Sequence, residues 1–203
     1  MSISFSTYNG YFVFHLHPYW KQDVSGQNMR DINTLVITGY SFSETYQDYP
    51  RARIKLSILV NTTVNISDVN DVFDALYGRM GNIWFPSWNE DIVVTSNIGA
   101  ADVTINVQDI DYVTYYPTLP GTGRHLFFYV NQNTWFAREV TSVPSSTELT
   151  IDSALGQIVK TTKLRTSFLY FGRFDIDTIE WKYVTKTIAT ADLYFIECPK
   201  EYP

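Results

Sequence analysis

One cysteine stands in 203 residues, so no intramolecular disulfide can staple this chain. No stretch approaches the ~20 apolar residues of a membrane helix. The N-terminus lacks the basic region followed by an apolar run that marks a secretory signal. These features lead to the expectation of a chain made and kept in a cytosol, or assembled there into something larger. Basic residues are also scarce: 15 Lys and Arg face 21 Asp and Glu, giving a net charge of −6. Non-specific grip on nucleic acid needs clustered cations that displace counterions. The densest basic stretch, Arg51-Ala52-Arg53-Ile54-Lys55, has the spacing of one wetted strand face. The balance argues against a DNA-binding function and fits a surface past which nucleic acid slides.

Signatures of chemistry are missing as well. There is no Gly-x-Ser-x-Gly elbow, phosphate-binding glycine loop or dinucleotide fingerprint. Gly10, Gly121, Gly123 and Gly156 read as turn residues. Cys198, beside Pro199, reads as a packed thiol rather than a nucleophile. His15 and His17 share a strand face and, with His125, offer three imidazoles. A catalytic zinc takes three protein ligands, but the third lies in a distant segment and no cysteine joins them, so a polar strand face is the better reading. Asp175 and Asp177 pair two carboxylates, and Asn89-Glu90-Asp91 forms a second acidic knot. Neither has the spacing of a calcium loop, and solvated acids bordering a turn are the better reading. The sequons at Asn61 and Asn65 carry no weight without a secretory signal. No catalytic residue, metal or cofactor is expected.

What the chain does have is alternation. Ala52, Ile54, Leu56 and Ile58 alternate with Arg51, Arg53, Lys55 and Ser57, the period of a strand with one buried and one wet face. Aromatic residues make up 16% of the chain, which suits pleated surfaces and interfaces alike. Strands are expected within 1–20, over Leu35–Ser43, Arg51–Val60 and Ile83–Trp88, and again over 165–197, with a polar loop at 21–33. Pro86 puts Ile83–Trp88 at an edge, bend or exit. One helix is expected over 69–80, capped by Ser67 or Asp68, with Val69, Val72, Phe73, Leu76 and Met80 facing the sheet. Between 92 and 164 the strands shorten and the turns crowd together, which reads as a small inserted β module. The first domain is then 1–91 plus 165–203.

Two segments resemble proteins of long, flexible-tailed bacteriophages. Ile83-Trp-Phe-Pro-Ser-Trp-Asn-Glu-Asp91 follows a helix and precedes a Thr/Ile/Val module. Arg173–Tyr183 and Ile188–Glu197 are similar to the closing strands of distal tail or minor tail proteins. The resemblance covers about half the chain, by pattern more than by strict motif. It implies a mainly β fold, a tail-tube-like β-sandwich or split barrel with one flanking α-helix and an inserted small β module. It also implies a structural virion protein, not an enzyme, forming a homo-oligomeric ring, with a hexamer favoured, at the distal tail. Its partners would be the tail tube protein, the tail hub protein, the tape measure protein and side fibres, with DNA passing through unbound. Trp84, Trp88 and Arg173 are the candidate subunit-interface residues. The alternative is a carbohydrate-binding, receptor-binding β module that exposes Trp84, Trp88 or Trp135 in a shallow groove. A third reading, a small hydrolase, would use Asp175 and Asp177 in a pocket with one pKa raised.

Overall fold

The computed structural model describes residues 3–18, 25–29, 33–37, 40–44, 51–109, 111–118, 121–198 and 201. The chain is mainly β. Its strands are β1 Thr7–Tyr8, β2 Tyr11–Phe12, β3 Ser25–Met29, β4 Asn33–Ile37, β5 Tyr40–Glu44 and β6 Arg51–Val60. After helix α1, Thr63–Ala75, come β7 Asn82–Pro86 and β8 Thr104–Asn106, then the short helix α2, Tyr112–Tyr115. The remaining strands are β9 His125–Asn131, β10 Thr134–Ser145, β11 Glu148–Ile151, β12 Arg165–Phe174, β13 Lys182–Tyr183 and β14 Ala189–Glu197.

Ten of these strands make one antiparallel sheet in the order β3-β6-β14-β12-β9-β10-β11-β8, with β13 beside β14 and β7 beside β12; it does not close into a barrel. β1–β2 and β4–β5 are separate two-stranded hairpins. Two long strands change partner midway. β12 pairs with β9 through Arg165–Phe168 and with β14 through Gly172–Phe174. β10 pairs with β9 up to Glu139 and with β11 from Val140 onward.

Buried side chains form two clusters. The first joins the N-terminal segment, β6, α1, β7, β14 and the second half of β12. The second draws on Ile92 to Leu164. β9 stands between them: Phe127 belongs to the first cluster, Leu126 and Phe128 to the second. A strand with a core on each face reads as a continuous apolar run, as His125-Leu126-Phe127-Phe128 does; all four are buried.

Four expected elements differ. The helix begins six residues earlier than 69–80. Thr62 is the cap: its extended backbone lets Oγ1 accept from the Asn65 N–H at 3.1 Å. Asp68 instead accepts the Ile3 N–H at 2.6 Å, tethering the N-terminal segment to the helix. Tyr77 and Gly78, with φ of 51° and 64°, reverse the chain after α1, so Met80 lies beyond the helix and is 76% exposed. Val69, Val72 and Leu76 are buried, and Phe73 packs edge-on against Phe174.

The expected strand Leu35–Ser43 falls instead in two strands paired with each other, β4 and β5, and the expected loop 21–33 contains β3, paired to β6. The apolar run Leu35-Val36-Ile37 and the alternation of Tyr40-Ser41-Phe42-Ser43 read together as one strand in the sequence. Finally, only Lys182–Tyr183 of the expected strand through Ile179, Trp181 and Tyr183 is a strand. The Trp181 indole N–H donates to Asn70 Oδ1 on α1 at 3.0 Å, and Tyr183 is exposed.

The helix start is testable. Thr62→Ala is expected to cost ~1 kcal/mol of unfolding free energy by denaturant titration, and Ser67→Ala no more than ~0.5 kcal/mol. Equal losses would return the cap to Ser67. A second prediction concerns Gly172, where β12 and β14 approach so closely that a Cβ would stand 2.0 Å from the Ile196 carbonyl oxygen. Backbone cannot yield as a flexible side chain does, so Gly172→Ala is expected to cost about 3 kcal/mol or more. An unchanged midpoint would rule out that approach.

Candidate functional site

The three candidate interface residues separate on folding. Trp84 is fully buried and Trp88 only 3% exposed, so neither can anchor a neighbouring subunit. β7 is covered on both faces: Trp84 faces Tyr8, His125 and Phe171, while Phe85 stacks on Phe195. Pro86 ends the strand without turning the tryptophans outward. Trp88 takes the left-handed backbone, φ 60°, a strained conformation for a bulky residue. It sits against His17, Phe127 and Tyr129. Ser87 holds the bend by bonding Asp91, whose Oδ2 also accepts the Phe168 N–H at 2.8 Å. Asp91, read as a solvated acid, is thus a structural pin.

Arg173 alone of the three reaches the surface. Its Nε donates to Cys198 Sγ at 3.2 Å and its guanidinium pairs with Glu201. Cys198 is buried, and burial raises its thiol pKa, the condition of an inert thiol. Arg173 shares with Arg51, Arg79 and Met80 a surface cavity of about 350 Å³. Exposed Tyr77 follows α1 on the same loop as Met80.

The acid pair is committed to cations. Asp175 bonds Arg53 at 2.7 Å and Arg79 at 3.5 Å, and Asp177 bonds Arg79 at 3.3 Å. The three histidines are dispersed among aromatic rings. His15 stacks on Trp135, and His125 shares a 2.9 Å hydrogen bond with the Tyr8 hydroxyl. His17 donates from Nδ1 to the Pro18 carbonyl at 2.8 Å and accepts at Nε2 from Arg165 at 3.3 Å, which fixes its neutral tautomer. Among the described residues no three His, Cys, Asp or Glu side chains group to hold a metal ion.

A feature the sequence did not announce lies where the N-terminal segment, the start of α1 and the β9–β10 turn meet. A cleft of about 520 Å³ opens there, with Trp135 and His15 on one wall and Asn61, Asn65, Gln132 and Asn133 around it. These residues are spread over more than a hundred positions, and no local spacing links them. Trp135 is therefore the one tryptophan of the alternative reading that borders an open cleft; Trp84 and Trp88 are not beside it at the surface.

The buried histidines set a pH dependence. Burial lowers the pKa of His125 from 6.5 to about 4, and it lowers those of His15 and His17 as well. Between about pH 6.5 and 4 the unfolded chain therefore binds more protons than the folded one. Stability is full above that window and falls as pH falls through it, with His125 contributing on the order of 3 kcal/mol. Denaturant midpoints should drop steadily from about pH 7 to 4.5, and His125→Gln should flatten that slope. A midpoint independent of pH would overturn the neutral buried histidines. No protein-family profile matches the chain, and no curated protein sequence does.

Proposed function

We propose that this chain is a structural virion protein of a phage tail, a non-enzymatic subunit of a ring at the distal end of a long flexible tail. The observation that carries this reading is the β4–β5 hairpin. Its two strands pair with each other from Asn33–Glu44 to Ile37–Tyr40 and with no other strand among the described residues. An isolated two-stranded hairpin is marginal in water, and outer edges that no described strand covers present backbone groups able to template further strands. Hairpins from successive subunits pairing edge to edge satisfy those groups and close into a ring by heterologous contact. Together with the resemblance of Ile83–Asp91 and Arg173–Glu197 to tail proteins, this favours six copies around a channel. The negative net charge suits passage of DNA without retention.

Two further observations support a building part over an enzyme. Asp175 and Asp177 are occupied by Arg53 and Arg79. Arg173, with Arg51, Arg79 and the exposed Met80, forms a surface of the composition common at subunit contacts. The tail tube protein, hub protein, tape measure protein and side fibres are the partners this role implies. Assembly would take place in the bacterial cytoplasm, with the product in the virion. No described helix is long and apolar enough to cross a membrane.

The test is the native mass of the purified chain, alone and with residues 33–44 replaced by two glycines. A closed oligomer is expected for the full chain and a folded monomer for the variant. A full chain that stays monomeric at high concentration, or a variant that still forms the ring, would overturn the hairpin's role. Absence of the protein from purified virions would overturn the tail assignment.

A further inference from the structure

We infer that the cleft beside Trp135 is a binding site for a neutral saccharide. The proposal rests on the lining of the cleft and is independent of ring formation. No Asp, Glu, Lys or Arg lines the cleft among the described residues, so nothing there selects an ion. Carboxamides line it instead. Asn61, Gln132 and Asn133 present side-chain amides that bond no other described group, and Gln132 and Asn133 stand exposed at the β9–β10 turn. Each carboxamide offers both donors and an acceptor, which matches a sugar hydroxyl, itself donor and acceptor. Asn65 on α1 is only 9% exposed, and its Oδ1 is buried without a partner. A buried polar atom left unpaired is costly, and rotation of this amide toward a bound hydroxyl relieves it.

The aromatic wall is pre-set. His15 stacks on Trp135 with ring centroids 5.1 Å apart, and Phe127 supports the indole from the core. His15 donates from Nδ1 to the Val13 carbonyl at 3.3 Å, so its neutral ring keeps the lone pair on Nε2. Burial lowers its pKa and favours that neutral form. Hydroxyls of Ser4 and Ser6 complete a rim of neutral polar groups. The volume of about 520 Å³ falls within the range of small-molecule clefts, ~300–1,000 Å³, and admits a mono- or disaccharide. A peptide would call for apolar side-chain pockets or a free strand edge, and the cleft lining offers carboxamides and hydroxyls instead.

The experiment titrates the full chain with glucose, N-acetylglucosamine and maltose, with glycerol and triglycine as controls, followed by calorimetry and tryptophan fluorescence. Saturable millimolar binding of at least one of the three sugars is expected, weakened tenfold or more in the double variant Gln132→Ala, Asn133→Ala. That variant alters only exposed turn residues, so its unfolding midpoint should match the parent, whereas Trp135→Ala also removes a core contact and is interpreted only if it folds. No saturation by any of the three sugars would overturn the proposal. So would sugar binding of unchanged affinity in the double variant, or saturation by triglycine alone.

Discussion

The structure depends on one side chain, the fully buried indole of Trp84. Its Nε1–H donates to the Tyr8 carbonyl at 3.0 Å, and its own backbone carbonyl accepts the Phe14 N–H at 2.8 Å. Val13 and Trp84 form a parallel bridge. The N-terminal segment is therefore laid over the sheet by one side-chain and one backbone bond to a single residue, while the ring itself packs on Tyr8, His125 and Phe171. Without that clamp Val13, Phe14 and Leu16, all buried, would lose their place in the core. The wall of the cleft formed by His15 would go with them. The high aromatic content thus builds an interior of interlocking rings, where offset and edge-on contacts add to area burial; sequence alone had left core and interface in balance.

Legibility followed periodicity. β6 and β14 were plain because each buries one face, and alternation survives only there: Ala189, Ala191, Leu193 and Phe195 are buried and the residues between them half-buried. β11, Glu148–Ile151, alternates in the same way. The helix was read six residues late because its buried face is sparse. Asn65, Ile66, Val69 and Val72 carry it, and a polar residue at its head conceals the first turn. Residues 13–16 do not alternate: Val13, Phe14, His15 and Leu16 are all buried, and a segment clamped on both sides has no wet face to report.

The candidate site was less legible for a related reason. Tryptophans flanking a proline suggest exposure, but β7 is covered on both faces and the proline acts only as its terminator. Asp91 looked like a solvated acid because its partners, Ser87 and Phe168, are one near and one 77 positions away. The cleft draws on four separate segments, so only the fold brings its amides together. Trp135 carried the one sequence signal, an aromatic residue just past a turn rich in Asn and Gln.

The mid-strand change of partner in β10 and β12 has a mechanical consequence. Two buried clusters normally invite thought of two bodies on a hinge, and a hinge needs a linker whose dihedrals can swing. Here the link between them is the strand itself, hydrogen-bonded along its length, with β9 packed into both interiors. Relative motion must therefore twist the sheet as a stiff plate twists, storing strain along every ladder it crosses. Load applied at one end of such a plate is delivered to the other with little lost in between.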